Sequence, residues 1–187
     1  MRKLKLQVQM TIDGFIAGSN GEMEWMLFNW SEDLKEFVAQ ITNPVDTVLL
    51  GRNLAKGFIP HWAAVAADPG NPEFTAGQKF TETKKVVFTK TLDKSEWSNT
   101  VLAKGNLVEE VMLLKNQTGG DIIAYGGCKF VSSLIRERLI DELNLFINPA
   151  IIGNGMPIFK EVSEKQNFKL ASVKHFQCGI VVLTYTI

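Results

Sequence analysis

The chain has 187 residues, 45 % hydrophobic and 21 % charged, and its 20 Lys and Arg balance its 20 Asp and Glu. These values fit one globular domain with a sizeable core, residues 1–187, and exclude a disordered chain. There is no basic excess, no run of Lys and Arg and no apolar stretch of membrane-spanning length, so neither nucleic acid nor a bilayer is an expected partner.

Leu4 to Thr11 alternates, with Leu4, Leu6, Val8 and Met10 on one side and Lys5, Gln7, Gln9 and Thr11 on the other. That is a strand with one polar face. It starts almost at the N-terminus with no signal-peptide apolar region before it, so the cytoplasm is the expected location. Asp13-Gly14 and Ser19-Asn20-Gly21 are turns around the short apolar segment Phe15-Ile16-Ala17. Ser31 to Thr42 reads as a helix. Ser31 stands at the N-cap, Glu32 and Asp33 favour the first turn, and Leu34, Phe37, Val38 and Ile41 form its apolar stripe. Asn43-Pro44 ends it, and Asp46 to Leu50 follows as a short buried strand.

From about His61 to Thr83 the breakers Pro69, Gly70, Pro72 and Gly77 and the lack of a clear period predict a long excursion at the rim. Lys84 to Thr89 and Thr100 to Ala103 are strands. Asn106 to Lys115 is a helix with Asn106 and Glu109 at capping-box spacing. Asp121 to Tyr125 is a buried strand, Gly127 opens a further helix, and Leu143 to Ile152 is strand-like. The last two strands, Phe168 to His175 and Ile180 to Ile187, flank Gln177-Cys178-Gly179 as a hairpin. Strands alternating with helices and closing on a hairpin predict an α/β fold: three α/β/α layers around a mostly parallel sheet with an antiparallel C-terminal edge.

Two glycine punctuations carry the functional signal. Gly51-Arg52 follows Thr47-Val48-Leu49-Leu50, and Gly126-Gly127 follows Ile122-Ile123-Ala124-Tyr125. Such strand-to-helix turns leave free backbone N–H groups and a positive helix end, and a pair of them suits a ligand with more than one phosphate. Arg52 adds a guanidinium fork, and Thr89-Lys90-Thr91 adds hydroxyls and a charge past another strand end. Each motif taken alone also fits plain packing or a polar strand terminus.

Asp33 shares a stripe with Phe37 and Ile41. A half-buried carboxylate beside aromatics suits an amidine-like ligand edge, or proton transfer with a raised pKa; a helix-start charge facing water is the competing reading. Trp25, Phe28, Trp30, Phe37, Phe58 and Trp62 are candidate walls for a flat ring, although most aromatics are core. Gly-x-Ser-x-Gly and a Walker loop are absent. Cys128 and Cys178 lie without a second Cys or His at ligand spacing, which argues against a zinc site.

The blocks Thr-Ile-Asp-Gly-Phe-Ile-Ala (11–17), Ser-Glu-Asp-Leu-Lys-Glu-Phe (31–37), Val-Leu-Leu-Gly-Arg (48–52), Tyr-Gly-Gly (125–127), Leu-Ile-Asp-Glu-Leu (139–143) and Pro-Ala-Ile-Ile-Gly-Asn-Gly-Met-Pro-Ile-Phe (149–159) resemble the dihydrofolate reductase superfamily. The closer match is the branch related to the reductase domain of bifunctional riboflavin-biosynthesis enzymes. The resemblance implies NADPH as cofactor and hydride transfer to a pteridine or aminopyrimidine. It implies that Gly51 and Arg52 meet the cofactor's phosphates or its adenosine end, Gly126 and Gly127 its pyrophosphate, Thr89 and Lys90 its 2′-phosphate, and Ile16 and Ala17 its nicotinamide. Asp33 matches the acidic substrate anchor and Phe37 the ring-stacking aromatic; Trp25 is expected to pack on the ring with Phe37.

The chain also departs from the pattern. Asn53-Leu54-Ala55 follows Gly-Arg where dihydrofolate reductases carry a Thr, and Tyr125 stands where riboflavin-pathway reductases place a glutamate. The alternatives are therefore a 5-amino-6-(5-phosphoribosylamino)uracil reductase and a nucleotide-binding module without chemistry. The expected partners are a small-molecule substrate and, through the apolar last strands, a second copy of the chain in a homodimer.

Overall fold

A computed structural model describes all residues 1–187. Eight strands are present: β1 (Leu4–Thr11), β2 (Val45–Gly51), β3 (Lys84–Phe88), β4 (Thr100–Ala103), β5 (Asp121–Tyr125), β6 (Glu142–Asn148), β7 (Lys169–His175) and β8 (Val181–Thr186). Five helices accompany them: α1 (Glu32–Thr42), α2 (Arg52–Ala66), α3 (Phe74–Glu82), α4 (Leu107–Asn116) and α5 (Cys128–Arg136). The strands form one sheet in the order β4-β3-β2-β5-β1-β6-β8-β7. β4 through β6 run parallel, while β8 is antiparallel to β6 and pairs with β7 as the hairpin.

Two cores cover the two faces. Leu4, Leu6, Val8, Leu49, Val86, Ala124 and Leu143 pack under α4 and α5. Val48, Leu50, Val87, Ile123, Phe146 and Val182 pack under α1, α2 and α3. The alternation of β1 is as expected, but its polar side is not a wet face. Because β1 sits in mid-sheet beneath α1, Lys5, Gln7 and Thr11 are buried. Lys5 answers burial with a 2.8 Å ion pair to Asp121 and a bond to the Ile41 carbonyl, and Gln9 accepts from Asn148 at 2.7 Å.

The stretch expected as a rim excursion is largely helical. α2 runs on to Ala66 with Pro60 inside it, and α3 fills Phe74–Glu82. Pro60 and Lys56, four residues before it, are both exposed, so the carbonyl that loses its donor lies on the outer side of the helix. The breakers Pro69, Gly70 and Pro72 are confined to the link between α2 and α3. Trp62 packs on Phe80 with centroids 4.6 Å apart and ties the two helices together.

The amino ends of the strands are pinned by charge. Arg2 pairs with Asp46 and donates to Gly120 O at 2.6 Å and Thr47 Oγ1 at 2.9 Å, while Lys115 reaches Asp141 at 2.7 Å. The α4 cap holds as predicted on its Asn106 arm, which accepts from the Val108 and Glu109 amides. The reciprocal arm comes from Glu110, which accepts from Gly105 N at 3.0 Å. No helix is long and apolar enough to cross a membrane.

Candidate functional site

β2 and β5 are parallel neighbours whose chain continuations part. From β2 the chain leaves through α2 toward β3 on one face; from β5 it leaves through α5 toward β6 on the other. Such a parting opens a crevice at the carboxyl ends of the strands. Both expected glycine turns lie there. Gly51 is the N-cap of α2 and Gly127 that of α5; neither helix has a side-chain cap or an acid in its first turn. By contrast α1 starts with Glu32 and Asp33, and α4 carries Glu109 and Glu110. α3 also lacks a side-chain cap and a first-turn acid, but its N-cap is Glu73 and it follows no strand, so the α2 and α5 starts are the ones at the crevice whose free amides and positive dipole ends are left for an outside anion.

The glycines differ in what they do. A Cβ on Gly126 would meet no atom within 4 Å. Gly127 holds φ +93°, which L side chains rarely adopt. A Cβ on Gly51 would stand 2.9 Å from Phe130 Cβ, so Gly51 is small to let α5 pack. Phe130 in turn stacks on Phe88 at 5.0 Å.

Arg52 lies partly exposed at the rim, donating to Thr91 Oγ1 at 2.5 Å. Thr89 is buried, and its hydroxyl accepts from the Thr91 and Leu92 amides at 3.2 Å each. It shapes the turn, and the exposed hydroxyl of this segment is that of Thr91. Lys90 is exposed but caps the Lys104 and Gly105 carbonyls at 2.5 and 2.8 Å. Ile16 and Ala17 are buried and paired with a segment to which sequence reasoning assigned no role. Ile16 N bonds Met156 O at 3.0 Å, Met156 N bonds Ala17 O at 2.8 Å, and Cys128 Sγ donates to Pro157 O at 2.9 Å. The signal was Gly155, whose Cβ would stand against the Ala17 carbonyl. The 15–17 and 156–158 segments together wall the start of α5.

Asp33 departs from the raised-pKa expectation. Its carboxylate bonds the Ser31 hydroxyl, accepts from Leu34 N at 2.9 Å and from Gln177 N at 3.2 Å, and is held below the usual carboxylate range, chiefly by Ser31. It lies on the first turn of α1 against the hairpin end, where the stripe no longer meets the core. Phe37 is not an open ring platform either. It is buried against Phe176 at 5.3 Å and Phe146 at 6.4 Å, with Lys174 Nζ 4.6 Å from the ring centroid. The aromatics divide: Trp30 joins Phe146, while Phe58 and Trp62 join Phe80. Phe28 is exposed, and Trp25 buries its indole N–H without a partner.

Two surface clefts lie away from the crevice. One, of about 510 Å³, is beside Lys79 and Glu82 at the amino ends of β2 and β3; the other, of about 650 Å³, is lined by Phe159, Val162 and Phe168 over β6 and β8.

The chain belongs to the RibD C-terminal domain family, whose model matches residues 2–182. It is 32 % identical to the uncharacterized protein YyaP of Bacillus subtilis, over 98 % of this chain and 94 % of that one. It is 26 % identical to the uncharacterized protein YwjB of the same organism, over 94 % and 92 %. A putative riboflavin biosynthesis protein from a Shewanella species shares the fold with TM-score 0.72 and 22 % identity, covering 100 % of this chain and 98 % of that one. A diaminohydroxyphosphoribosylaminopyrimidine deaminase/5-amino-6-(5-phosphoribosylamino)uracil reductase from Thermotoga maritima does so with TM-score 0.68 and 21 % identity. This chain is covered over 99 % of its length there and spans 56 % of that one. The dihydrofolate reductase-like fold class expected from the sequence blocks is the one these neighbours share, and the family is a reductase-like one.

Proposed function

We propose that this protein is an NADPH-dependent reductase acting on a flat nitrogen heterocycle of the pteridine or aminopyrimidine type. One observation carries the reading: two uncapped, acid-free helix starts adjoin at the β2/β5 parting, with no atom of the chain within 4 Å of where a Gly126 Cβ would stand. The donor set fits an anionic dinucleotide. When bound, NADPH supplies a hydride. The first-turn amides of α2 and α5 hold the pyrophosphate. Arg52 and Thr91 take the 2′-phosphate, Lys90 adds positive charge, and Thr89 keeps their turn in shape. Ile16 and Ala17, braced by Met156, exclude water from the reacting face. Asp33 is a fixed negative charge at the mouth that accepts and does not donate, and Trp25 and Phe37 shape the ring-binding side.

A second reading, reduction of an aminopyrimidine ribotide, is favoured by the buried polar row under α1. Gln7, Asn144 and Thr184 make that side more polar than its aromatics predict. NADPH oxidation against a panel of pterins and aminouracils tests both. Turnover with either class supports a reductase and selects between the readings; NADPH binding without turnover on any of them leaves a nucleotide-binding module.

A further inference from the structure

Two side-chain oxygens of this chain are buried without a hydrogen-bond partner, and they stand on neighbouring strands: Gln7 Oε1 on β1 and Tyr125 Oη on β5. Gln7 and Tyr125 are register partners and so project from the same face of the sheet, the face under α1 and α2. Tyr125 immediately precedes Gly126-Gly127 and packs its ring on Phe58 at 5.2 Å. Gln7 is 6 % exposed.

The surrounding polar groups are already committed. On β1, Lys5 is paired with Asp121, Gln9 with Asn148, and Thr11 with the Phe15 amide. The register partner of Gln7 on β6, Asn144, holds Thr184 and Glu142. An orphan pair inside an otherwise satisfied network is one whose partner comes from outside the chain.

We propose that Gln7 and Tyr125 form the heterocycle-recognition pair of this site and select a neutral lactam edge, an N–H beside a C=O. The inference rests on the reductase reading and deepens it. A carboxamide offers one acceptor and two donors, and a phenol offers a donor and an acceptor. Together they complement a lactam, whereas an amidinium edge needs a carboxylate that only accepts. The nearest candidate for that role, Asp33, is bound to Ser31, Leu34 and Gln177. Pyrimidinediones and 4-oxopteridines both present the lactam edge, so the pair sorts by edge chemistry and not by ring size.

The test is calorimetric titration of NADPH-loaded protein with pterin, 5,6-diaminouracil and 2,4-diaminopteridine. Pterin and 2,4-diaminopteridine share a bicycle and differ at the lactam. The expected result is that one or both lactams bind at least about tenfold tighter than the diamino compound. Gln7→Leu and the near-isosteric Tyr125→Phe should each remove about tenfold or more of lactam affinity while leaving NADPH affinity unchanged. Pterin alone or the uracil alone as ligand says which ring the site accepts. The melting temperature of the unliganded Gln7→Leu protein should stay level or rise, because an unpaired polar group leaves the core.

Preference for the diamino compound, no binding of any of the three, or unchanged lactam affinity in Tyr125→Phe overturns the proposal. A fall in melting temperature in both variants with ligand affinity intact would show a pair satisfied by water alone. If NADPH itself does not bind, the reductase reading fails and the pair falls with it.

Discussion

Gly51 and Gly126 lack side chains for opposite reasons, one to admit a neighbouring helix and the other facing open space. Gly51→Ala drives a Cβ to within 2.9 Å of Phe130 Cβ and should destabilise the fold, by about 1–3 kcal/mol in denaturant titration. Gly126→Ala meets nothing in the chain and should keep wild-type stability within about 0.5 kcal/mol while lowering NADPH affinity. Equal NADPH binding by Gly126→Ala would place the cofactor elsewhere. Arg52→Ala should weaken NADPH more than NADH, since only the former carries a 2′-phosphate for the guanidinium; an unchanged preference would remove Arg52 from that role.

Asp33 makes a pH prediction. A carboxylate whose folded-state pKa is depressed contributes stability above its unfolded pKa and loses it as pH falls through the folded value. The advantage of wild type over Asp33→Asn in melting temperature should therefore be full at neutral pH and vanish on acidification below the ordinary carboxylate range. A difference that persists at low pH would mean that the Ser31 and Gln177 bonds do not depend on the charge.

At the scale of elements, α3 depends on one buried lysine. Lys85 is 2 % exposed and donates to the Phe80 and Thr81 carbonyls at 3.0 and 2.7 Å, closing the C-terminal end of the helix. Burial lowers its pKa, yet it has the helix dipole as partner where no carboxylate pairs with it. Lys85→Ala should cost about 2–3 kcal/mol by loss of the cap and of packing, whereas exposed Lys84→Ala should stay within about 0.5 kcal/mol.

The sequence was read correctly where local periodicity and tertiary burial agree, as in β1, α1, β5, α5 and the β7–β8 hairpin. It misled where they part. Gly77 reads as a breaker, but it is small because Val65 and Ala66 press against it. Gly51 and Gly126-Gly127 were legible as strand-to-helix turns because each follows a short apolar run, although only Gly127, at φ +93°, requires glycine locally. The buried rank of β1 was not legible, because alternation tells which residues share a face and not what covers it. Nor was the pairing of 15–17 with 156–158, a contact between segments some 140 residues apart.

Over the whole molecule, charge is divided between the two ends of the sheet. Arg2–Asp46, Lys5–Asp121 and Lys115–Asp141 close the amino end, while at the carboxyl end the α2 and α5 starts carry no countercharge. One end holds the strands together, and the other is left to a ligand. β7 is an outer strand with Leu170 and Val173 exposed, and a second copy pairing there is the expected cover. Light scattering should then read twice the chain mass; a chain-mass particle at high concentration would leave that edge to Lys169 and Lys174 to protect.

Hydrogen exchange with and without saturating NADPH tests the central claim most directly. Protection concentrated in the first turns of α2 and α5, residues 51–54 and 126–131, is the predicted result. Protection that falls elsewhere, or none at a concentration that saturates binding, would contradict it.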